Sequence, residues 1–393
     1  MRIGIDCRTI LNPEKGEGAG IGHYTYQLVR HLLSIDKKNT YILFFDRSVQ
    51  KKRLAKFKQN NVFIRFFPFV QYSRLMPVGY SHFLVSAILD REKLDVFHSP
   101  VFSLPSSYKG NSVITVHDLG IYKFPELYLK ENVGRLKRDI PRILKQARKI
   151  IAVSNSTARD LKKIFNLSNK KIRVIFNGLD KRFFKKETKT EVKKIKHKYG
   201  IKKNYFLFLG TLDPRKNIVQ VISAYEQFRN KLTHSPEQSK NYQFFDCQLV
   251  LAGAKGTRFV KIQRKISLSK YKKDIILPGY IPADDLNALF AGADIFIFPS
   301  LHEGFGLPVI EAMAKGVPVI TSNISSMPEI AKGVALLIDP YNVAKIAQSM
   351  YNLSVDRDLR RKLSIGGRKR AGKFCWRKCA RQTLGVYKEA AAI

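Results

Sequence analysis

Short apolar runs alternate along this chain with longer stretches whose apolar residues are spaced for helices. Compact, β-branched or aromatic runs recur at residues 2–6, 40–45, 62–66, 96–98, 112–117 and 150–153. Helical spacing fills several of the intervals, as in 23–34, where Tyr24, Leu28, Leu32 and Leu33 share one side. A lysine-rich run from Lys181 to Lys203, with few residues suited to burial, then breaks the rhythm. Beyond it, strands are predicted at 205–209, 248–252, 274–277, 294–298 and 317–321, and helices at 218–229, 259–268 and 283–291. Such alternation predicts an α/β fold of doubly wound parallel sheets, whose ligands sit beyond the strands' carboxyl ends. A chain of 393 residues exceeds one ordinary core, so two domains are expected, over 1–180 and 204–372, with a basic linker at 181–203. The polar stretch 233–243 reads as a flexible loop.

Most of the chemistry gathers at one strand–turn–helix junction, residues 297–322, IFPSLHEGFGLPVIEAMAKGVPVITS. Pro308 opens a short helix and Gly316 closes it, the usual asymmetry of helix ends. A helix beginning near Leu307 turns its free N–H groups and positive dipole end toward the turn, a natural seat for phosphate. Glu311 lies one turn in, and helical side chains lean toward the N-terminus, so its carboxylate returns to the helix mouth. There it could accept both hydroxyls of a ribose diol. Glu303, in the turn, would face the other end of the same ligand.

Other strand ends add weaker signals. Gly20-Ile21-Gly22 closes a glycine-rich loop that also holds Gly16 and Gly18, and it serves equally a phosphate approach or a plain tight turn. His117-Asp118 ends the apolar run 113–116, as a structural hydrogen-bonder or as a group facing the ligand; for His98 the structural reading is preferred. Arg215 and Lys216, joining a strand to a helix, could neutralise a diphosphate, Arg as a fork and Lys as a point charge. Asp356-Arg357-Asp358 sits in a polar helical region and reads as a helix start.

Composition then narrows the class. Apolar residues at 45% and aromatics at 11% fit a globular chain. No apolar run reaches the roughly 20 residues of a membrane span, and the chain opens directly on a strand, unlike a secretion signal. Four cysteines make no disulfide framework; Cys375 and Cys379 read as reduced packing residues, which points to a reducing cytosol. The outlier is charge, +40 from 71 Lys+Arg against 31 Asp+Glu. That implies polyanionic company, with an anionic membrane surface and plain compositional bias as the two explanations. Neither zinc-ligand spacing nor an RNA-binding aromatic motif supports specific nucleic-acid recognition. Between residues 63 and 89, Phe66, Phe67, Phe69, Tyr72, Tyr80 and Phe83 interleave with Arg65 and Arg74, which suits a membrane interface or ordinary core packing.

Taken together the motifs resemble family 4 glycosyltransferases, the group 1 type of GT-B fold. The matching pieces are 20–25, 115–119, 153–156, 177–180, 210–217, 279–281 and 299–322, in the family's order and spread over nearly the whole chain. The last is the most specific, because it contains the family's pair of glutamates with seven residues between them. The resemblance implies two Rossmann-like domains facing each other across a cleft, with residues 373–393 forming a helix that packs back on the first domain. It implies a nucleotide-sugar donor, with Glu311 on the ribose and Arg215, Lys216 and the amides of Gly20 and Gly22 near the diphosphate. Glu303 and the backbone from Phe305 through Gly306 to Leu307 would hold the sugar, Tyr280 and Ile281 would border the base, and His117 with Asp118 would lie beside the anomeric centre. Many relatives carry Arg where Thr211 stands, which shifts weight onto Arg215 and Lys216.

The reaction implied is retaining glycosyl transfer without metal or other cofactor. The phosphate loop is similar to that of polysaccharide mannosyltransferases, which points to GDP-mannose, with UDP-glucose and UDP-N-acetylglucosamine as alternatives. A glycan or polyprenyl-diphosphate-linked acceptor, and a cytoplasmic location peripheral to the inner face of the membrane, complete the expectation. The rivals are an inactive protein of the same fold that binds membrane or nucleic acid, and a nucleotide-sugar epimerase.

Overall fold

A computed structural model of the chain describes residues 1–10, 20–47, 49, 51–67, 78–233 and 246–392. Gly16 and Gly18, the aromatic and basic positions Phe69, Tyr72 and Arg74, and residues 234–243 of the expected loop lie outside the described residues. The chain divides into two compact units, Met1–Gly178 with Cys375–Ile393, and Leu179–Phe374.

The first unit holds β1 (Arg2–Asp6), β2 (Thr40–Asp46), β3 (Val62–Phe67), β4 (Val96–Ser99), β5 (Ser112–Val116), β6 (Lys149–Ala152) and β7 (Ile172–Val174). They pair in parallel in the order β3-β2-β1-β4-β5-β6-β7. The second holds β8 (Asn204–Leu209), β9 (Cys247–Ala252), β10 (Ile275–Gly279), β11 (Ile295–Phe298), β12 (Val319–Ser322) and β13 (Leu336–Ile338), again parallel, in the order β10-β9-β8-β11-β12-β13. Every residue of β4, β5, β6, β9, β11 and β12 is buried. Helices cover both faces of such sheets, which is why these strands read as unbroken apolar runs instead of alternating ones. In each sheet the strand order reverses beside the first strand, between β1 and β4 and between β8 and β11, which is where ligands of this fold class bind.

Three expectations change. The run 181–203 is not a linker: it forms a 3-10 turn, Lys181–Phe184, and a helix, Lys189–Lys198, within the second unit. Phe183, Ile195 and Ile201 bury themselves while the lysines stay outside, and Thr188 with Glu191 closes a full capping box on the helix. The first helix starts at Gly20, not His23, because a helix's opening amides need no intrahelical partner and tolerate glycine there. Cys375 is exposed, not packed, while Cys7, Cys247 and Cys379 are buried thiols. Asp356 caps the helix Arg357–Ala371 by accepting from Leu359 N at 2.8 Å. The helix Trp376–Ala391 lies within the first unit, with Trp376 and Tyr387 fully buried. A Cβ on Gly178 would overlap the Trp376 backbone, so only glycine admits that close approach.

Candidate active site

The reversal point of the second sheet is built from two loops laced together. After β8, Asp213 accepts from Arg215 N at 3.0 Å and so caps the turn Pro214–Lys216. Asn217 follows in the left-handed region at φ 63°, a conformation Asn tolerates better than most residues. Its amide donates to Pro299 O at 3.1 Å and Pro340 O at 2.7 Å. Leu301 N and Ser300 Oγ both donate to Arg215 O, at 2.9 and 3.1 Å. Arg215 in turn donates through Nη1 to His302 O at 3.2 Å. The loop after β8 and the loop after β11 therefore hold one another's backbone, and the cations at 215 and 216 gain fixed positions.

Glu303 sits at the centre of that lattice, 8% exposed. Its Oε1 receives Lys216 Nζ in a salt bridge and Ser300 Oγ at 2.7 Å. Burial alone would raise its carboxyl; the positive charges of Lys216 and Arg215, with the Lys216 and Ser300 hydrogen bonds, outweigh it and hold the group below the usual value. Its backbone is held as well, N donating to Ser325 Oγ at 3.0 Å and O accepting from Ser325 and Ser326 at 2.6 and 3.0 Å. The expected glutamate at the sugar end is thus an ionised, immobilised carboxylate. Lys216, expected on the diphosphate, is tied to it.

The helix Leu307–Lys315 follows, with Gly306 as its N-cap at φ 98°. That left-handed conformation favours glycine, and a Cβ there would also have to displace the end of the Met327 side chain. No side chain caps the helix start; Pro308 has no N–H and Val309 N donates to Gly306 O at 3.1 Å, which leaves the Leu307 amide for water or an anion. Phe305 is buried edge-on against Phe374, ring centres 5.6 Å apart. Glu311 is half-buried, and among the described residues no group hydrogen-bonds its carboxylate. Its pKa is raised to about 7, by desolvation first, with Arg182 pulling it down and Asp180 adding to the rise. Glu303 and Glu311 have the same side chain and opposite environments. At the end of β10, Tyr280 is 57% exposed and Ile281 is buried.

The first unit carries the remaining predicted residues. Gly20 and Gly22 lie in the first turn of the helix Gly20–Ile35, Gly20 at φ 55° with open space around it and Gly22 buried. His117 follows β5 and donates Nε2–H to Pro100 O at 3.0 Å, which leaves Nδ1 as its acceptor nitrogen. The Tyr24 ring stands edge-on to it at 4.8 Å. Burial lowers the His117 pKa, although the Pro100 carbonyl and Asp118 pull the other way. Asp118 accepts from Gly120 N at 2.8 Å, a local turn contact. His98 is fully buried between Tyr387 OH at 2.7 Å and Thr115 Oγ1 at 2.9 Å, and Tyr24 OH reaches the same Thr115 at 3.1 Å. Burial and then the charge of His117 bring the His98 pKa down to about 3. Sequence reasoning named the glutamates, the cations and His117, and of these the structure brings Lys216 and Arg215 against Glu303. That reasoning missed the serines at 300, 325 and 326 and the Tyr24–Thr115–His98–Tyr387 chain, whose only signal was a strand-end His98.

Among the described residues no three His, Cys, Asp or Glu side chains gather as a metal ion would need, and no helix is long and apolar enough to cross a membrane.

A fixed carboxylate–ammonium pair beside an uncapped helix start can hold an anion and a polyhydroxylated group together. Residues 161–370 match the family model of the glycosyl transferases group 1, and residues 18–183 match that of Glycosyltransferase Family 4. An O-antigen chain mannosyltransferase B of Escherichia coli is 29% identical over 385 residues, covering 96% of this chain and 97% of that protein. Sucrose-phosphate synthase of Thermosynechococcus elongatus shares the fold at TM-score 0.77 and 19% identity, over 100% of this chain and 99% of that one. HepE of Anabaena, solved in complex with UDP-glucose, shares it at TM-score 0.73 and 16% identity, over 99% and 100%. With two parallel Rossmann-like sheets of the GT-B class and a family model spanning more than half its length, the chain belongs to the glycosyl transferases group 1 family of glycosyltransferases.

Proposed function

We propose that this glycosyltransferase moves a hexosyl unit, mannose from GDP-mannose, to a glycan or polyprenyl-diphosphate-linked acceptor during cell-surface polysaccharide synthesis. The reaction retains configuration and uses no metal, and the protein works at an anionic membrane face. The observation that carries the reading is the Lys216–Glu303 pair at the reversal point of the second sheet, next to an uncapped helix mouth. The mannosyl donor is supported by the E. coli O-antigen relative, aligned along nearly all of both chains. The net charge of +40 supports the anionic surface.

In this reading the diphosphate lies on Arg215 and Lys216 near the helix start, Glu303 and the amides from Phe305 to Leu307 hold the sugar, and Glu311 accepts the ribose hydroxyls. The anomeric C–O bond breaks with its electron pair leaving on the nucleoside diphosphate. The acceptor oxygen forms the new bond from the same face and passes its proton to the departing phosphate. Negative charge grows on that phosphate in the transition state, where preorganised cations and a helix start stabilise it most. Glu303, fixed and ionised, orients the sugar and keeps Lys216 in place. His117 of the first unit serves turnover more than donor affinity.

Calorimetric titration with GDP, UDP and ADP, followed by turnover of GDP-mannose with and without EDTA, tests this. GDP should bind at least tenfold more tightly than UDP or ADP, and EDTA should leave the rate unchanged. HepE, solved with UDP-glucose, keeps a second reading in view: tighter UDP binding with UDP-glucose turnover would replace the mannosyl assignment. No nucleotide binding, with anionic vesicles still bound, would reduce the protein to a membrane-binding relative.

A further inference from the structure

At the amino-terminal edge of the first sheet, an open cavity of about 680 Å³ lies where the chain enters β5, β6 and β7. This is the opposite edge from His117, about 15 Å away at the rise of a five-residue strand. Six cations converge on it: Lys109 before β5, Arg142 and Lys145 at the end of the helix Lys130–Gln146, Arg148 before β6, and Lys170 and Lys171 before β7. Lys149 is a seventh, and no carboxylate is among the lining residues.

The scaffold holds these groups in place. Gln146 donates to Pro105 O and Tyr108 O at 2.8 and 2.7 Å, which pins the loop that carries Lys109. Arg142 reaches Gln146 Oε1 at 3.1 Å, and Arg148 reaches Asn111 Oδ1 at 3.2 Å. The ammonium groups of Lys149 and Lys171 each donate to a main-chain carbonyl, of Lys170 and Lys145, at 2.9 Å. Two things offset the positive charge. Glu389 answers Lys149 at 3.1 Å while also pairing with Arg173 at 2.7 Å, and the helix's carbonyl end supplies about half a negative charge. Positive charge still predominates along the lining. Lys171 reports it: burial and then the neighbouring Arg148 push its ammonium below the usual lysine value.

We propose that this cavity is a binding site for an anion carrying two or more phosphate groups. Cations arriving from three strand entries offer donors from several directions, which clustered phosphate oxygens can use and a lone carboxylate cannot. The volume lies in the ordinary range for ligand pockets. The chemistry has two sources, a soluble diphosphate or polyphosphate and the headgroup of a diphosphate-bearing lipid. The site consists only of first-unit residues and is independent of the donor reading above.

The test uses the full chain at 150 mM salt, where general surface attraction is screened beyond ~8 Å. Tripolyphosphate binding is followed by calorimetry, and vesicle binding by sedimentation, with phosphatidylcholine alone or mixed with cardiolipin. Two double charge reversals are compared: K109E/K170E at the cavity, and K193E/K202E, the same change in charge on the second unit. Saturable tripolyphosphate binding that weakens at least tenfold in K109E/K170E and less than threefold in K193E/K202E supports the site. If cardiolipin vesicle binding falls in parallel and tripolyphosphate competes with it, the source is a lipid headgroup; if vesicle binding is unchanged, the source is soluble. Equal losses in the two variants would mean net charge alone is at work. That result, or absence of saturable binding, overturns the proposal.

Discussion

Buried histidines at the carboxyl-terminal edge of the first sheet and a buried glutamate at that of the second are treated in opposite ways. In the first unit, His98 and His117 are surrounded by hydroxyls and a carbonyl, and burial pushes both toward the neutral form. In the second, Glu303 is as enclosed but carries its charge, because Lys216 and Arg215 stand against it. The two histidines stay neutral, although Asp6 at the end of β1 pairs with Arg8 on the same edge, whereas Glu303 is held as an ion. The two edges of one glycosyltransferase can thus do different work, neutral proton-accepting contacts from one and permanent charge complementarity from the other. Glu311 is the exception within the second edge: a carboxylate with no hydrogen bond from a described residue, raised to about 7, whose need for donors a ligand diol would meet.

The largest effect should come from breaking the charged edge. Lys216→Ala leaves Glu303 buried without its closest counter-charge, and uncompensated buried charges of this kind cost about 3–5 kcal/mol. Urea unfolding should show a loss of that order, eased by Arg215, and nucleotide binding should fall with it. The double variant K216M/E303Q, with neither charge, should recover much of the stability and none of the activity. A loss under about 1 kcal/mol in K216A, well below the range for a broken buried pair, would mean the pair is solvated and the contrast between the edges is false.

pH should separate the units by sign. Glu311 is raised in the folded state, so the folded chain binds its proton more tightly than the unfolded chain. That contribution is present below the ordinary glutamate pKa and lost as pH rises toward about 7; it amounts to at most about 3 kcal/mol. Glu311→Gln should therefore stabilise the second unit at pH 8 and do little at pH 4. His98 runs the other way. Its lowered pKa means the unfolded chain takes up the proton first, so stability falls as pH drops below the ordinary histidine value. Hydrogen exchange read separately on β5 and on the helix Leu307–Lys315 should show the first loosening and the second tightening as pH is lowered from 7 to 5. The same titration bears on function: GDP affinity should decline as pH falls through 7 in the native chain and be flat in E311Q. Matching slopes in both would remove Glu311 from the ribose.

His117→Ala tests the neutral histidine directly. If His117 serves turnover as proposed, its loss lowers kcat on the order of a hundredfold, and the donor KM should stay near its native value because the side chains proposed to hold the donor are those of the second unit. A changed KM with native kcat would assign His117 to binding, and a stability loss alone would reduce it to its hydrogen bond with Pro100.

How much of this was legible beforehand depended on sequence distance. The junction at 297–322 was readable because Gly306, Pro308 and Gly316 mark its turns locally, and the glutamates follow from it. The bond between Lys216 and Glu303 was not, since 87 residues separate the partners and no periodicity links them. The serines that hold Glu303 lack any signature of their own in the sequence. Gly20 and Gly22 read as a loop because glycine is rare inside helices, although at a helix start it costs little. The basic run at 181–203 misled most, its charge concealing three apolar anchors.

That run offers the smallest and most local prediction. If 181–203 were a linker, the cap on its helix would not matter to the fold. Thr188 accepts from Glu191 N at 3.1 Å, and Glu191 returns a carboxylate to Thr188 N. Loss of such an N-cap costs about 1 kcal/mol where the helix is part of the cooperative unit. Thr188→Ala should lower stability by that amount, and hydrogen exchange should locate the loss in the second unit, at Lys189–Lys198 and at the Ala283–Ala291 helix, where Lys198 meets Asp285 at 2.6 Å. Thr188→Ser, which keeps the hydroxyl, should restore it. If the alanine variant frays Lys189–Lys198 alone and leaves Ala283–Ala291 protected, the segment is docked without being integral. The charged edge would then rest on the β8 and β11 loops without its help.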